Sequence, residues 1–253
     1  MTTCTDQLLQ EVILAGVPQR IVSLVPSITE LLFDLGLEER VVGVTKFCVH
    51  PNGWRKSKVI VGGTKTLSVE TIARLNPDLI IAAKEENEWD QIEVISAFSP
   101  VWVSNVITVE DAFDLIKSLG AVCGVVERAR ELSGVIESHF QSLYHAAWGE
   151  VVYVIWNKPL MCAGRDTYIN SLLRWLGYKN LAEGIEGSRY PEVTMDQLVN
   201  LKPEKIFLSS EPYPFKNEHL QYFQRHLPDT VVQLVDGEMF SWYGSRMLTL
   251  RLP

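Results

Sequence analysis

The chain has 253 residues, 47% of them hydrophobic, and a formal net charge of −8. That length holds one large domain or two small ones around a real core, which excludes a disordered chain. The acidic balance, with no Lys/Arg cluster, argues against nucleic acid and against an anionic membrane surface, and no stretch reaches the ~18–20 apolar residues of a membrane span.

The N-terminus "MTTCTDQLLQEVILAGVPQR" does not read as a signal peptide. Acids precede its first basic side chain, Arg20, and it has no clean apolar run. The expectation is either a cytosolic protein or an export segment lying outside this sequence. "QRIVSLV" (19–25) reads as a buried strand stopped by Pro26, and "PSITELLFDLG" as a helix capped by Ser27 or Thr29 and ended by Gly36. "RVVGVT" (40–45) is a second strand. "SVETIARLN" is a short helix with Ser68 as cap candidate, stopped by Pro77. "DLIIAA" (78–83) and "PVWVSN" (100–105) are further strands. Strands alternating with helices imply a parallel sheet covered on both faces.

The alternation then pauses. "TVEDAFDLIKSLGAVCG" gives one helix with Gly120 and Gly124 as breaks, and 125–148 a longer one with Val125, Leu132, Val135, Ile136, Phe140 and Leu143 at helical spacing. At 1.5 Å per residue the second would be ~35 Å long. Alternation resumes with "EVVYVIW" (strand), "RDTYINSLLRWLG" (helix), "MDQLVNL" (helix), "KIFLSS" (strand) and "TVVQLVDG" (strand).

Two phrases occur twice, in the same order. "TELLFDLGL" (29–37) matches "NSLLRWLGY" (170–178), and "VETIARLNPDLII" (69–81) matches "MDQLVNLKPEKIF" (195–207). The fold class expected is therefore α/β. Two similar α/β lobes with parallel-type central sheets, 1–107 and 149–253, are joined by a linking helical segment, 108–148, that holds the long backbone helix. A ligand cleft is expected between the lobes.

Open α/β sheets bind ligands beyond the carboxyl ends of their strands. In this sequence those loops are rich in aromatic residues: Phe47, Trp89, Trp156, Tyr190, Tyr213, Phe215, Phe240, Trp242 and Tyr243, about half of them expected to be core. They also carry Lys65, Lys84, Arg165, Arg189 and Arg246. An aromatic wall with a few cations suits a large, flat, partly anionic ligand. The four cysteines have no C-x-x-C spacing and are expected to be mostly free thiols, a pairing of Cys48 with Cys162 staying open.

"PQRIVSLVPSITELL", "GGT…VETIARLNPDLIIA" and "DGEMFSWYGSRML" resemble the substrate-binding proteins of iron-siderophore, haem and vitamin B12 ABC importers, in order and over nearly the whole chain. The resemblance implies two lobes bridged by a long helix that permits only small closure. It implies a metal chelate as transported ligand with no covalent cofactor, an extracytoplasmic location, and a monomer that serves an ABC permease dimer. It also gives the acids that lead the repeated phrase a role: Glu70 and the shorter Asp196 would dock on permease arginines.

The implied ligand-binding positions are Phe47, His50, Thr64, Lys65, Lys84, Asn87, Trp156, Arg165, Tyr190, Tyr213, Phe215, Phe240, Trp242, Tyr243 and Arg246, with no catalytic residue and no protein-held metal. Tyr243 or His50 is the candidate for direct ligation to a bound metal or haem. Thr64 and Ala83 stand where B12-binding relatives carry tryptophans, so a siderophore or another chelate is as well supported as B12. The relatives also continue into a final helix beyond "MLTLRLP". The rival readings are a cytosolic corrinoid or haem carrier and a chelatase-like tetrapyrrole enzyme. Against the enzyme, no Ser–His–Asp set and no cluster-binding cysteine set is spelled out, and "GGTKT" lacks the phosphate-loop frame.

Overall fold

The computed structural model describes residues 1–143 and 149–251. Two units emerge. The first comprises Met1–Val106, Glu110–Glu137 and Tyr243–Leu248; the second comprises Ile107–Val109, Ser138–Trp242 and Thr249–Pro253.

Unit 1 opens with an antiparallel hairpin, β1 (Thr2–Thr5) and β2 (Glu11–Leu14). Asp6 fastens its turn by accepting the Leu8 and Gln10 amides at 2.8 Å, and Trp102 Nε1 donates to the Thr5 carbonyl. Then follow β3 (Ile21–Ser23), α1 (Pro26–Asp34), β4 (Val41–Val44), α2 (Trp54–Ser57), β5 (Val59–Ile60), α3 (Val69–Arg74), β6 (Leu79–Ala83), α4 (Trp89–Ser96) and β7 (Val101–Ser104). The five strands form a sheet in the order β5-β4-β3-β6-β7, all parallel. β3 and β6 are buried at every position, as central strands covered on both faces must be.

The α1 cap differs from the sequence reading. Val25 is the N-cap and Pro26 takes the first helical position, where its missing N–H costs nothing. Thr29 lies inside the helix and donates to the Val25 carbonyl at 2.9 Å, so neither it nor Ser27 caps. Gly36 does end the helix. Its φ of +75° lets the Leu37 amide reach back to the Leu32 carbonyl at 3.0 Å.

α5 (Val109–Val122) and α6 (Val126–Leu143) follow. Gly120 does not break α5; it lets Ala129 of α6 lie directly against the α5 backbone, where a Cβ would collide. Gly124, at φ +68°, makes the turn. α5 from Glu110 and α6 to Glu137 fall in unit 1, and the end of α6 falls in unit 2. The long-helix expectation covers 144–148, which lie outside the described residues.

Unit 2 contains β8 (Gly149–Trp156), β9 (Met161–Cys162), α7 (Tyr168–Trp175), β10 (Tyr178–Asn180), α8 (Met195–Leu201), β11 (Lys205–Ser209), α9 (Asn217–His226), β12 (Val231–Val235) and α10 (Gly237–Ser241). Its parallel strands run β10-β8-β11-β12, with β9 antiparallel on β8.

The duplication read from the sequence is present in the topology. In unit 1, β3 is flanked by β4 on one side and by β6, then β7, on the other, with β5 outside β4; in unit 2, β8 is flanked by β10 on one side and by β11, then β12, on the other. α1 links β3 to β4 and α7 lies between β8 and β10, α3 and α8 precede β6 and β11, and α4 and α9 link β6 to β7 and β11 to β12. The repeated Leu-x-Pro-acid phrase also makes the same backbone twice. Asn76 (φ +45°) and Lys202 (φ +50°) are both left-handed, each between its helix end and a proline. The acid after the proline then meets the start of β3 in one unit and of β8 in the other. Asp78 accepts the Gln19 and Arg20 amides at 2.8 Å, and the Glu204 carboxylate lies against Gly149.

Candidate functional site

All strands of unit 1's main sheet are parallel, so their carboxyl ends share one edge, and the loops singled out in the sequence leave from it. After β4, Phe47 is 50% exposed, with Lys46 Nζ 5.1 Å from its ring centroid. Cys48 beneath it is buried between the Thr29 and Thr45 hydroxyls at 3.1 and 3.2 Å, and burial pushes its thiol pKa up. Lys46 also lines a hollow of about 540 Å³ with Asn52, Arg55 and Lys56.

The loops after β5 and β6 are stitched together. Asn87 is buried; its Oδ1 accepts the Ala83 amide at 2.8 Å and its Nδ2 donates to the Thr64 carbonyl at 3.0 Å. Lys65 donates to the Glu85 carbonyl at 3.2 Å and pairs with Glu88 at 3.1 Å. Lys84 is exposed on the same rim.

The segment 243–248 returns to this edge. Tyr243 is buried, and burial together with Glu86 and Glu85 pushes its phenol pKa far up. That environment opposes the phenolate a metal would need. Arg246 forms a two-pronged pair with Glu30, Nε to Oε2 at 2.9 Å and Nη2 to Oε1 at 2.8 Å. Glu30 is pushed up by burial, against the pull of Arg246 and of nearby His50. Asn87, Tyr243 and Arg246 are thus engaged in holding unit 1 together.

In unit 2 the corresponding edge carries Trp156, 38% exposed, edge-on to Tyr213 at 5.7 Å. Arg165 is exposed. Tyr190 is half-buried beside Arg189, whose guanidinium sits 5.9 Å from its ring centroid. Trp242 is half-buried. Phe215 and Phe240 are core instead: Phe215 packs at 4.8 Å on Tyr213, and Phe240 at 5.3 Å on Tyr153 and 6.0 Å on Phe207. Cys162 is buried, with its thiol pushed up to about 12, and all four thiols are free.

Glu70 and Asp196 occupy matching places. Each is the second residue of its helix, after the N-caps Ser68 and Thr194, and each is exposed. Two residues on, Ile72 and Leu198 are fully buried and fix the helix face. The Thr194 cap is the firmer one, since its side chain and that of Gln197 satisfy each other's amides. Sequence reasoning missed Lys46, Glu30 and the Tyr213 surroundings. Only Lys46 carried a signal, as the residue directly before Phe47.

Two α/β units of repeated topology, each with an aromatic and cationic rim at its strand ends, define a binding protein built by duplication. The chain belongs to the periplasmic binding protein family, whose model matches residues 21–230. It is 28% identical over 218 residues to an uncharacterized ABC transporter substrate-binding lipoprotein, YvrC, of Bacillus subtilis, covering 81% of this chain and 68% of that one. It is 24% identical over 240 residues to a vitamin B12-binding protein of Pectobacterium carotovorum, covering 92% and 86%.

Among solved structures, the fold matches the periplasmic haem-binding protein HutB of Vibrio cholerae (TM-score 0.77, 20% identity, 91% of this chain and 95% of that one). It also matches the catecholate-siderophore binding protein VctP of Vibrio cholerae (TM-score 0.80, 15% identity, 98% and 97%). At those identities the structures speak to the fold. The relatives are substrate-binding transport proteins, not enzymes.

Proposed function

We propose that this protein binds a metal chelate (a ferric siderophore, a corrinoid or haem) outside the cytoplasm and delivers it, as a monomer, to the permease dimer of an ABC importer. The observation that carries the delivery step is the matched pair Glu70 and Asp196. They are exposed carboxylates at the same position of the same helix in two duplicated units, and among the described residues neither is paired. Such a pair suits salt bridges to arginines on a two-fold partner. The ligand class draws support from relatives whose names give B12, haem and a siderophore as ligands. The exposed Phe47 and Trp156, with Lys84 and Arg165, are the contacts assigned to the chelate.

Titrating cobalamin, haem and ferric siderophores against intrinsic fluorescence tests the ligand, because the chain has seven tryptophans to quench. One chelate is expected to quench saturably. Phe47→Ala and Trp156→Ala are each expected to weaken it by about tenfold, ~1.4 kcal/mol. Silence toward all three classes would end this reading. For docking, the double variant E70A/D196A is expected to keep chelate affinity and to lower permease-stimulated ATP hydrolysis in reconstituted vesicles by roughly tenfold or more. Unchanged stimulation would remove the docking role and leave the ligand assignment standing.

A further inference from the structure

A hollow of about 710 Å³ opens on unit 2, where the turn after β8 meets the first turns of α8 and α9. Its polar lining can be assigned proton by proton. The Lys216 amide donates to His219 Nδ1 at 3.0 Å, so that nitrogen carries no proton and the neutral ring holds its hydrogen on Nε2. Nε2 lies 3.1 Å from the Tyr213 hydroxyl oxygen, and His219 is therefore the donor there. Asn157 Nδ2 donates to the same oxygen at 3.2 Å. Two accepted bonds fill the lone pairs of that oxygen. The Tyr213 hydrogen is left with no acceptor among the described residues, on a side chain that lines the hollow.

Two charges complete the rim. Lys158 is held at φ +72°, a left-handed conformation that non-glycine residues adopt only when their surroundings impose it. Among the described residues its ammonium has no carboxylate within 4 Å, and Glu218, lining the same hollow, has no cation. The rest of the lining is largely apolar: Leu160, Met195 and Phe223, with the half-exposed ring of Tyr222. The hollow thus offers a neutral donor, a cation and an anion that are each unpaired among the described residues, and hydrophobic surface. Its volume is in the range of small-ligand sites.

We propose that this hollow binds a short zwitterionic ligand with an apolar body, of the class of hydrophobic dipeptides. Its carboxylate accepts from Tyr213 and pairs with Lys158, its ammonium pairs with Glu218, and its side chains lie against Leu160, Met195 and Phe223. The site lies wholly within unit 2 and does not depend on the chelate reading.

The probe is L-leucyl-L-phenylalanine, compared with its N-acetylated form, which lacks the ammonium, and its C-terminal amide, which lacks the carboxylate. Binding is followed by calorimetry and by backbone amide NMR shifts. The free dipeptide is expected to shift the amides of Asn157, Lys158, Leu160 and of 218–223, and each modification to weaken it by about tenfold. Glu218→Gln should bring the free and N-acetylated forms to within about twofold of each other. Tyr213→Phe and Lys158→Gln should do the same for the free and amidated forms.

No shift at those amides with about 10 mM dipeptide, well above a millimolar Kd, overturns the proposal. A preference for the free over the N-acetylated dipeptide that persists in Glu218→Gln, an exposed position whose variant folds whatever Tyr213→Phe does, also overturns it. Chelate titrations on the same preparations separate the two readings. A chelate bound by protein blind to the dipeptide defeats only this site, and the dipeptide bound by protein blind to every chelate defeats only the chelate assignment.

Discussion

Phe240→Ala is expected to destabilise unit 2 by about 3–5 kcal/mol, the cost of emptying a closed aromatic site. The ring is 2% exposed and sits between Tyr153 and Phe207, both fully buried. Those two rings belong to the adjacent central strands β8 and β11, so the cavity would open in the middle of the sheet's packing rather than at its rim. Collapse is hindered on the remaining side. The Gly237 position at the start of α10 is already pressed against Ser209 and Glu211, too closely for a Cβ. In a chain of this length a loss of that size lowers the thermal midpoint by at least about 6 °C. Trp242→Ala, at a half-buried position two residues on, should cost about 1 kcal/mol or less if that ring faces ligand rather than core. Circular-dichroism melts of both variants separate the roles. A Phe240→Ala midpoint within about 2 °C of the parent would return that ring to the candidate ligand surface.

What the sequence could show depended on whether a feature is local. The Leu-x-Pro-acid phrase was readable because its chemistry is complete within a dozen residues: a helix end, a left-handed residue, a proline, and a carboxylate for the next strand's entry. Asn76 and Lys202 take up that conformation from their immediate neighbours. The central strands were readable because burial on both faces forces unbroken apolar runs.

The N-terminal hairpin was not readable. Four-residue strands with little alternation carry no period, and what fixes them is distant; Trp102 reaches Thr5 across 97 residues. α9 escaped for the opposite reason. "NEHLQYFQRH" buries only Phe223, so its apolar face is a single residue wide. Among the aromatic positions, Phe47 and Phe240 differ only in their surroundings, and a single sequence does not spell out surroundings. Gly120 misled because glycine inside a helix can mark a close crossing as well as an end.

The Arg246–Glu30 pair, between residues 216 apart in sequence, leads to the second large effect. Arg246→Met keeps the aliphatic stem and removes the charge, which strands a carboxylate of 18% exposure. Breaking a buried pair from one side costs about 3–5 kcal/mol; the residual exposure of Glu30 puts the expectation nearer 2–4. The pH dependence follows from the cause of the shift. Burial is the largest influence on Glu30 and raises its pKa, while the hydrogen bonds and charge of Arg246 oppose it. Removing Arg246 removes that opposition, so the folded-state pKa climbs further.

A carboxyl whose folded pKa exceeds its unfolded value holds its proton more tightly when folded. Stability therefore falls as pH rises through the window between the two values, and the penalty is complete above it. The deficit of Arg246→Met should be smallest near pH ~4, about the ordinary glutamate pKa, and should grow toward pH ~7.5. Glu30→Gln in the same background should recover most of the loss, because a neutral amide needs no cation. Urea titrations at the two pH values decide the matter. A deficit that is equal at both, or larger in acid, would mean that Arg246 stabilises the 243–248 segment through packing and not through Glu30.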